Sequence, residues 1–120
     1  MPDVQITFYK DPDGSLPAYE WLKSLPKKSR ARGHALIHLL AEEGHKLRRP
    51  YADYLRDGIY ELRWRWQRIN YRLLYFFRGQ NLIMLSHGVT KTDRMPEKEI
   101  DVAKQRKKEI EHKNQRQQSR

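Results

Sequence analysis

Residues 59–77, IYELRWRWQRINYRLLYFF, decide the fold of this chain. Aromatic and aliphatic residues run through both halves of the stretch, and Gln67-Arg68 marks the only break in them. A connection this short forces two antiparallel strands, at about 59–66 and 69–77. With the turn at Gln67-Arg68, facing residues sum to 135 in number. One face then pairs Tyr60 with Tyr75, Leu62 with Leu73 and Trp64 with Tyr71. The other sets Arg63 against Arg72, Glu61 against Leu74 and Arg65 against Asn70. Like charges directly opposite in a sheet cost roughly a few tenths of a kcal/mol or more, so the arginine couple needs an offsetting anion. A phosphate gripped by parallel hydrogen bonds would serve, and so would Glu61, two residues from Arg63 on the same face.

Outward from this hairpin, a third antiparallel strand is expected at about 81–88 after Arg-Gly-Gln. The segment HKLRRPYADYLRDG before the hairpin has no clean period and ends in Asp-Gly, which reads as a loop. Near the start, VQITFYK suits a strand over about 4–10, and DPDGS is a turn. Ala18, Trp21, Leu22 and Leu25 fall at helical spacing, with Pro17 in the first turn and Pro26 ending the run. A second helix is expected from Lys27 to about Glu43, on a stripe of Leu36, Leu39 and Leu40, stopped by Gly44. Pro96 opens a third, with Glu97 and Glu99 in its first turn and a thin stripe of Ile100, Ala103 and Ile110. The tail from about 112 to 120 is too polar to pack and is expected to fray. The expected fold is a single α+β domain over 1–120. It has an N-terminal strand, a two-helix layer on one face of an antiparallel sheet and a C-terminal helix, with the other sheet face open.

The 120 residues support one modest core, which excludes a second catalytic domain. Lys and Arg number 25 against 15 Asp and Glu, giving +10 and a pI near 10, so nucleic acid or an acidic protein is the natural partner class. There is no cysteine, the first ten residues lack the apolar run of a signal peptide, and no apolar run reaches the roughly 20 residues that span a bilayer. A soluble, cytoplasmic protein is expected.

The order DGIYELRWRW, NYRLLYFF, NLIMLSHGVTK and MPEKEIDVAKQRK, with PAYEWLKSLP before it, resembles the HigB-like branch of the RelE/ParE toxin superfamily, a group that includes phage-derived host-killing-type proteins. The likeness covers most of the chain and implies a RelE-like fold. It also implies cleavage of mRNA, usually on the ribosome, and neutralisation by an antitoxin, often of helix-turn-helix type. Carried over, the family's basic positions fall on Arg63, Arg72 and Lys91. Val89 and Thr92 stand where the family commonly has an aromatic residue and a second lysine, and Met95 stands where a capping Ser or Thr is usual.

RNA carries its own nucleophile, the 2′-hydroxyl, so cleavage requires cations on the phosphorane and proton transfer at two oxygens, with no obligatory metal or other cofactor. Arg63 and Arg72 suit the first task; His87 and Lys91 are the candidates for the second. Lys27, Lys28 and Arg30 at the start of the second helix are candidate RNA contacts. Arg65, Trp66 and Arg68 at the hairpin tip join them, Trp66 as a stacking residue. Tyr75 faces the helices and is expected in the core. His34, His38 and His45 share a helical face, but HALIH lacks the glutamate of a metalloprotease motif, so no metal site is assigned. The alternatives are a ParE-like toxin that poisons gyrase by protein contact, and a binding module without catalysis.

Overall fold

The computed structural model describes residues 4–91 and 93–118, residues 114–118 by their backbone alone. In chain order the elements are β1 (Gln5–Phe8), α1 (Pro17–Ser24), α2 (Lys27–Glu43), a 3-10 turn (Gly44–Lys46), β2 (Ala52–Arg56), β3 (Ile59–Trp66), β4 (Ile69–Arg78), β5 (Leu82–Thr90) and α3 (Glu97–Gln118). The strands form one sheet in the order β1-β5-β4-β3-β2.

The β3–β4 register pairs Tyr60 with Tyr75, Leu62 with Leu73 and Arg63 with Arg72, around a turn in which Gln67 and Arg68 both have positive φ. That backbone matches the right-handed twist of the flanking strands and keeps the register fixed. Two expectations are corrected. First, the sheet is mixed: β1 runs parallel to β5, because α1 and α2 carry the chain across the sheet before it returns. Second, the supposed loop before the hairpin contains β2, which pairs antiparallel with β3, setting Ala52 opposite Leu62 and Asp53 opposite Glu61. β2 lies at the sheet edge, where only Ala52 is buried and Tyr54 is exposed, so it lacks the alternation that marks a half-buried strand.

α1 and α2 bury Ala18, Leu22, Leu25 and Leu40 against Leu62, Leu73 and Leu85 of the sheet. Trp21, Trp64 and Tyr71 fill the end of this layer as touching rings, and the Trp21 indole donates to Thr90 Oγ1 at 2.9 Å. Gly88 makes that possible: a Cβ there would collide with the Trp21 ring. The His-Gly at the end of β5 is thus explained by packing.

The second face of the sheet is not fully open, which corrects a third expectation. Ile59, Leu74, Phe76 and Met84 lie on it and are covered by Met95, Ile100 and Ala103. β4 is apolar on both sides over Leu73–Phe76, and burying each such side chain contributes about 1.5–3 kcal/mol, enough to recruit α3 despite its thin stripe. The backbone of α3 stays helical to Gln118, past residue 112 where the tail was expected to leave the helix; residues 119 and 120 lie outside the described residues.

Candidate functional site

α3 crosses only part of its face. Arg63 and Arg72 stand beyond it, opposite one another on β3 and β4. Arg72 is 9% exposed and donates from Nη2 to the carbonyl oxygen of Asp93 at 2.7 Å, which fixes its guanidinium at the loop leading to α3. Arg63 is half-buried.

The offset for this like-charge pair is Glu61, which is 2% exposed. Its Oε2 lies 3.5 Å from Arg63 Nε and its Oε1 lies 3.6 Å from Arg72 Nη1. Both separations are too long for a hydrogen bond, and Oε1 has no hydrogen-bond partner among the described residues. The carboxylate therefore balances charge without saturating the guanidiniums. Burial pushes the Glu61 carboxyl above its ordinary range, while Arg72 and then Arg63 pull it back. On β2, Asp53 accepts a hydrogen bond from Arg49 at 2.7 Å, which holds its carboxyl low, and it sits 3.9 Å from Arg63 Nη1.

Arg63 and Arg72 line two clefts at once. One, of about 660 Å³, lies at the segment just before β2 begins and opens toward α2. Its walls include Leu36, Pro50, Tyr51, Trp64 and Tyr71, and Arg32, Arg49 and Arg65 bring the guanidiniums around it to five. The other, of about 320 Å³, runs toward α3 and mixes Arg49, Arg56 and Arg94 with Asp53, Glu61 and Glu97. The first is cationic with an apolar wall; the second is nearly charge-balanced.

The remaining sequence candidates divide. Lys91 is exposed, with φ of 68°, and its backbone N–H donates at 2.9 Å to the carbonyl of Asn70, a residue of the larger cleft. It therefore follows β5 at the same end of the sheet as the arginine pair. Thr92 lies outside the described residues.

His87 does not join the group. It sits beneath α3, with Nε2 3.0 Å from Glu99 Oε1 and Nδ1 2.8 Å from Ser86 Oγ and 3.3 Å from Arg106 Nη1. Burial lowers its pKa, the hydrogen bond to Glu99 opposes that, and the Arg106 charge lowers it further. His87 lines neither arginine cleft. Trp66 is half-buried on the helix side of the sheet, packed on the core with Trp64, so it is not the exposed platform expected at the hairpin tip. Its parity with Trp64 puts both rings on that side of β3.

Arg65 and Arg68 are exposed, and the Arg65 carbonyl accepts from Arg32 Nη1 at 3.1 Å. Lys27 and Lys28 are exposed at the start of α2, while Arg30 turns back to the Lys23 carbonyl at 3.2 Å. Tyr75 is buried, and burial raises its pKa. Sequence reading missed Arg32, Arg49, Tyr51 and Asp53. Three of these stand in the stretch taken as a loop, and only recognition of β2 would have brought them to the arginine pair.

The molecule is thus a small basic α+β protein whose sheet hairpin holds two guanidiniums around a buried carboxylate, beside a cleft lined by five arginines. The family described as Phage derived protein Gp49-like (DUF891) matches residues 20–108, and the chain belongs to it; that family lies within the RelE/ParE-like toxin superfamily. The matched residues include the hairpin, Arg63, Arg72 and Lys91. No curated protein matches the chain. No helix among the described residues is long and apolar enough to cross a membrane.

Proposed function

We propose that the protein is the toxin of a type II toxin–antitoxin system, of HigB-like type, that inhibits translation in the cytoplasm by cutting mRNA on the ribosome. The observation that carries this reading is the arginine pair of β3 and β4, held beside a cleft by a carboxylate that leaves its hydrogen-bonding capacity unspent. In the reaction the RNA 2′-oxygen attacks phosphorus, the bond from phosphorus to the 5′-oxygen breaks, and the products carry a 2′,3′-cyclic phosphate and a 5′-hydroxyl. Arg63 and Arg72 hold the phosphate and stabilise the charge that builds on its oxygens; donors aimed at such charge are worth about 10²–10³ in rate each. Lys91 handles the proton. His87, whose ring nitrogens are engaged under α3, serves α3 instead. The partner is an antitoxin, of helix-turn-helix type, whose acidic surface would cover the cationic cleft.

The test is expression of wild-type and Arg72→Ala protein, with product ends mapped on RNA from arrested cells. Wild type should arrest growth and leave 5′-hydroxyl ends; Arg72→Ala should do neither while keeping its circular dichroism. Inhibition of gyrase supercoiling with RNA left intact, ribosomes present, would replace the ribonuclease with a ParE-like poison.

A further inference from the structure

Resting on that ribonuclease reading, we infer that the larger cleft is a nucleobase subsite: it takes the base and sugar of one single-stranded RNA nucleotide next to the phosphate held by Arg63 and Arg72. Three observations converge. The volume, about 660 Å³, falls in the range of small-molecule sites, roughly 300–1,000 Å³. Phosphate contacts alone do not account for its lining. A patch that only tracked the backbone would be cationic throughout, whereas this one sets an apolar wall of Leu36, Pro50, Trp64 and Tyr71 behind its guanidiniums. At its rim Tyr51 is 47% exposed, a large aromatic left in water beside Arg49.

Trp64 and Tyr71 are committed to each other, with ring centroids 5.8 Å apart and planes within 12°. The Trp64 indole is further fixed by its bond to Ser29 Oγ at 3.0 Å. They form a rigid wall. Tyr51 is the ring free to lie on a base, and guanidinium planes can stack on the base's other side. The smaller cleft, about 320 Å³, has Tyr54, Leu55, Met95 and Ile100 in its lining but also carries four carboxylates, Asp53, Glu61, Asp93 and Glu97, which repel the phosphates on either side of a nucleotide. The strand therefore enters from the α2 side, and the subsite belongs to one flank of the scissile phosphate.

The experiment measures binding of full-length protein to a pentaribonucleotide made uncleavable by 2′-deoxy substitution, by fluorescence anisotropy across a salt series. Tyr51→Ala should weaken binding on the order of tenfold, and Tyr51→Phe should restore it. The slope of log affinity against log salt should not move, because the lost contact is not ionic. Arg49→Ala should instead reduce that slope by about one. An oligonucleotide lacking one base should bind wild type about as weakly as Tyr51→Ala binds the intact strand, and Tyr51→Ala should not discriminate between the two strands.

Tyr51→Ala binding as well as wild type, or losing affinity only through the salt slope, would overturn the subsite. The two readings fail separately. Arg72-dependent cleavage with no effect of Tyr51 or of base removal leaves a ribonuclease without this subsite. Base-dependent binding with no cleavage on or off ribosomes leaves the subsite and removes the ribonuclease.

Discussion

One face of the sheet has two ends, and they differ in what their side chains have left to offer. On β4, Arg72 and Leu74 are neighbours on that face; Leu74 is the cross-strand partner of both Glu61 and His87. At the arginine end α3 reaches only the rim of the smaller cleft, through Glu97 and Ile100. Two guanidiniums face a carboxylate that they do not hydrogen-bond, and space for a ligand adjoins them. At the histidine end α3 is in place, and Glu99, Ser86 and Arg106 occupy the imidazole. Both ends carry residue types that suit phosphate chemistry. The difference teaches that a site is made by unspent bonding capacity beside a cavity, and that residue type alone does not nominate it.

The strongest way to break the comparison is at the arginine end. Arg72→Ala should lower RNA cleavage by about 10²–10³, and Arg72→Lys should recover only part of it, because an ammonium lacks the planar fork. Cleavage assays on ribosome-bound mRNA with purified variants read this directly. Arg63, half-buried and nearer solvent, should cost less: Arg63→Ala is expected to lose about 10², the low end of that range. Equal activity in wild type and Arg72→Ala would leave the open end as inert as the covered one.

Glu61 sharpens the comparison next. If it is the resident counter-ion, Glu61→Gln should release the guanidiniums, and an uncleavable RNA should bind several-fold tighter, most clearly in low salt. The same variant has a pH signature. Burial raises the Glu61 pKa above its ordinary 4.5, so the native state holds that proton more tightly than the unfolded chain. Its charge therefore costs stability at neutral pH. That cost is relieved as pH falls through the folded pKa and is gone below 4.5. Chemical denaturation should show wild type gaining on Glu61→Gln as the medium is acidified through that window. A gap moving the other way would mean that the arginines outweigh burial.

The hairpin and its register were legible because a two-residue turn leaves one pairing, and an alternating pattern leaves one choice of faces. The arginine couple followed from that register. What stayed hidden has physical causes. β2 buries only Ala52, and an edge strand with little to bury carries little pattern. The parallel pairing of β1 with β5, as of Gln5 with Leu82, spans most of the chain, and no local period announces it. α3's grip on the sheet was invisible from α3, whose stripe is thin; the signal lay in Leu74 and Phe76, apolar on a face read as open. His87 was nominated on residue type, and nothing in its own strand announced that α3 would engage its ring. Glu61 was recognised as a partner for Arg63, but its burial depends on neighbours from β2 and on Arg72.

The covered end supplies the smallest effect on activity. His87→Asn should change RNA cleavage by no more than about twofold, while the loss of its hydrogen bonds lowers stability by about 1 kcal/mol. The groups facing the imidazole are Glu99 and Arg106 of α3 and Ser86 of its own strand, with Asp11 3.5 Å from Arg106 behind them. Because the folded pKa lies below 6.5, the unfolded chain binds this proton more readily, so the histidine's contribution is complete above 6.5 and is lost as pH falls through the folded value. Glu99 softens the loss by attracting the imidazolium, and Arg106 deepens it. Melting curves from neutral to mildly acidic pH should therefore fall more steeply for wild type than for His87→Asn. If His87→Asn instead abolished cleavage with its melting curve unchanged, the imidazole would have to leave Glu99 during the reaction, and α3 would be a moving part of the site.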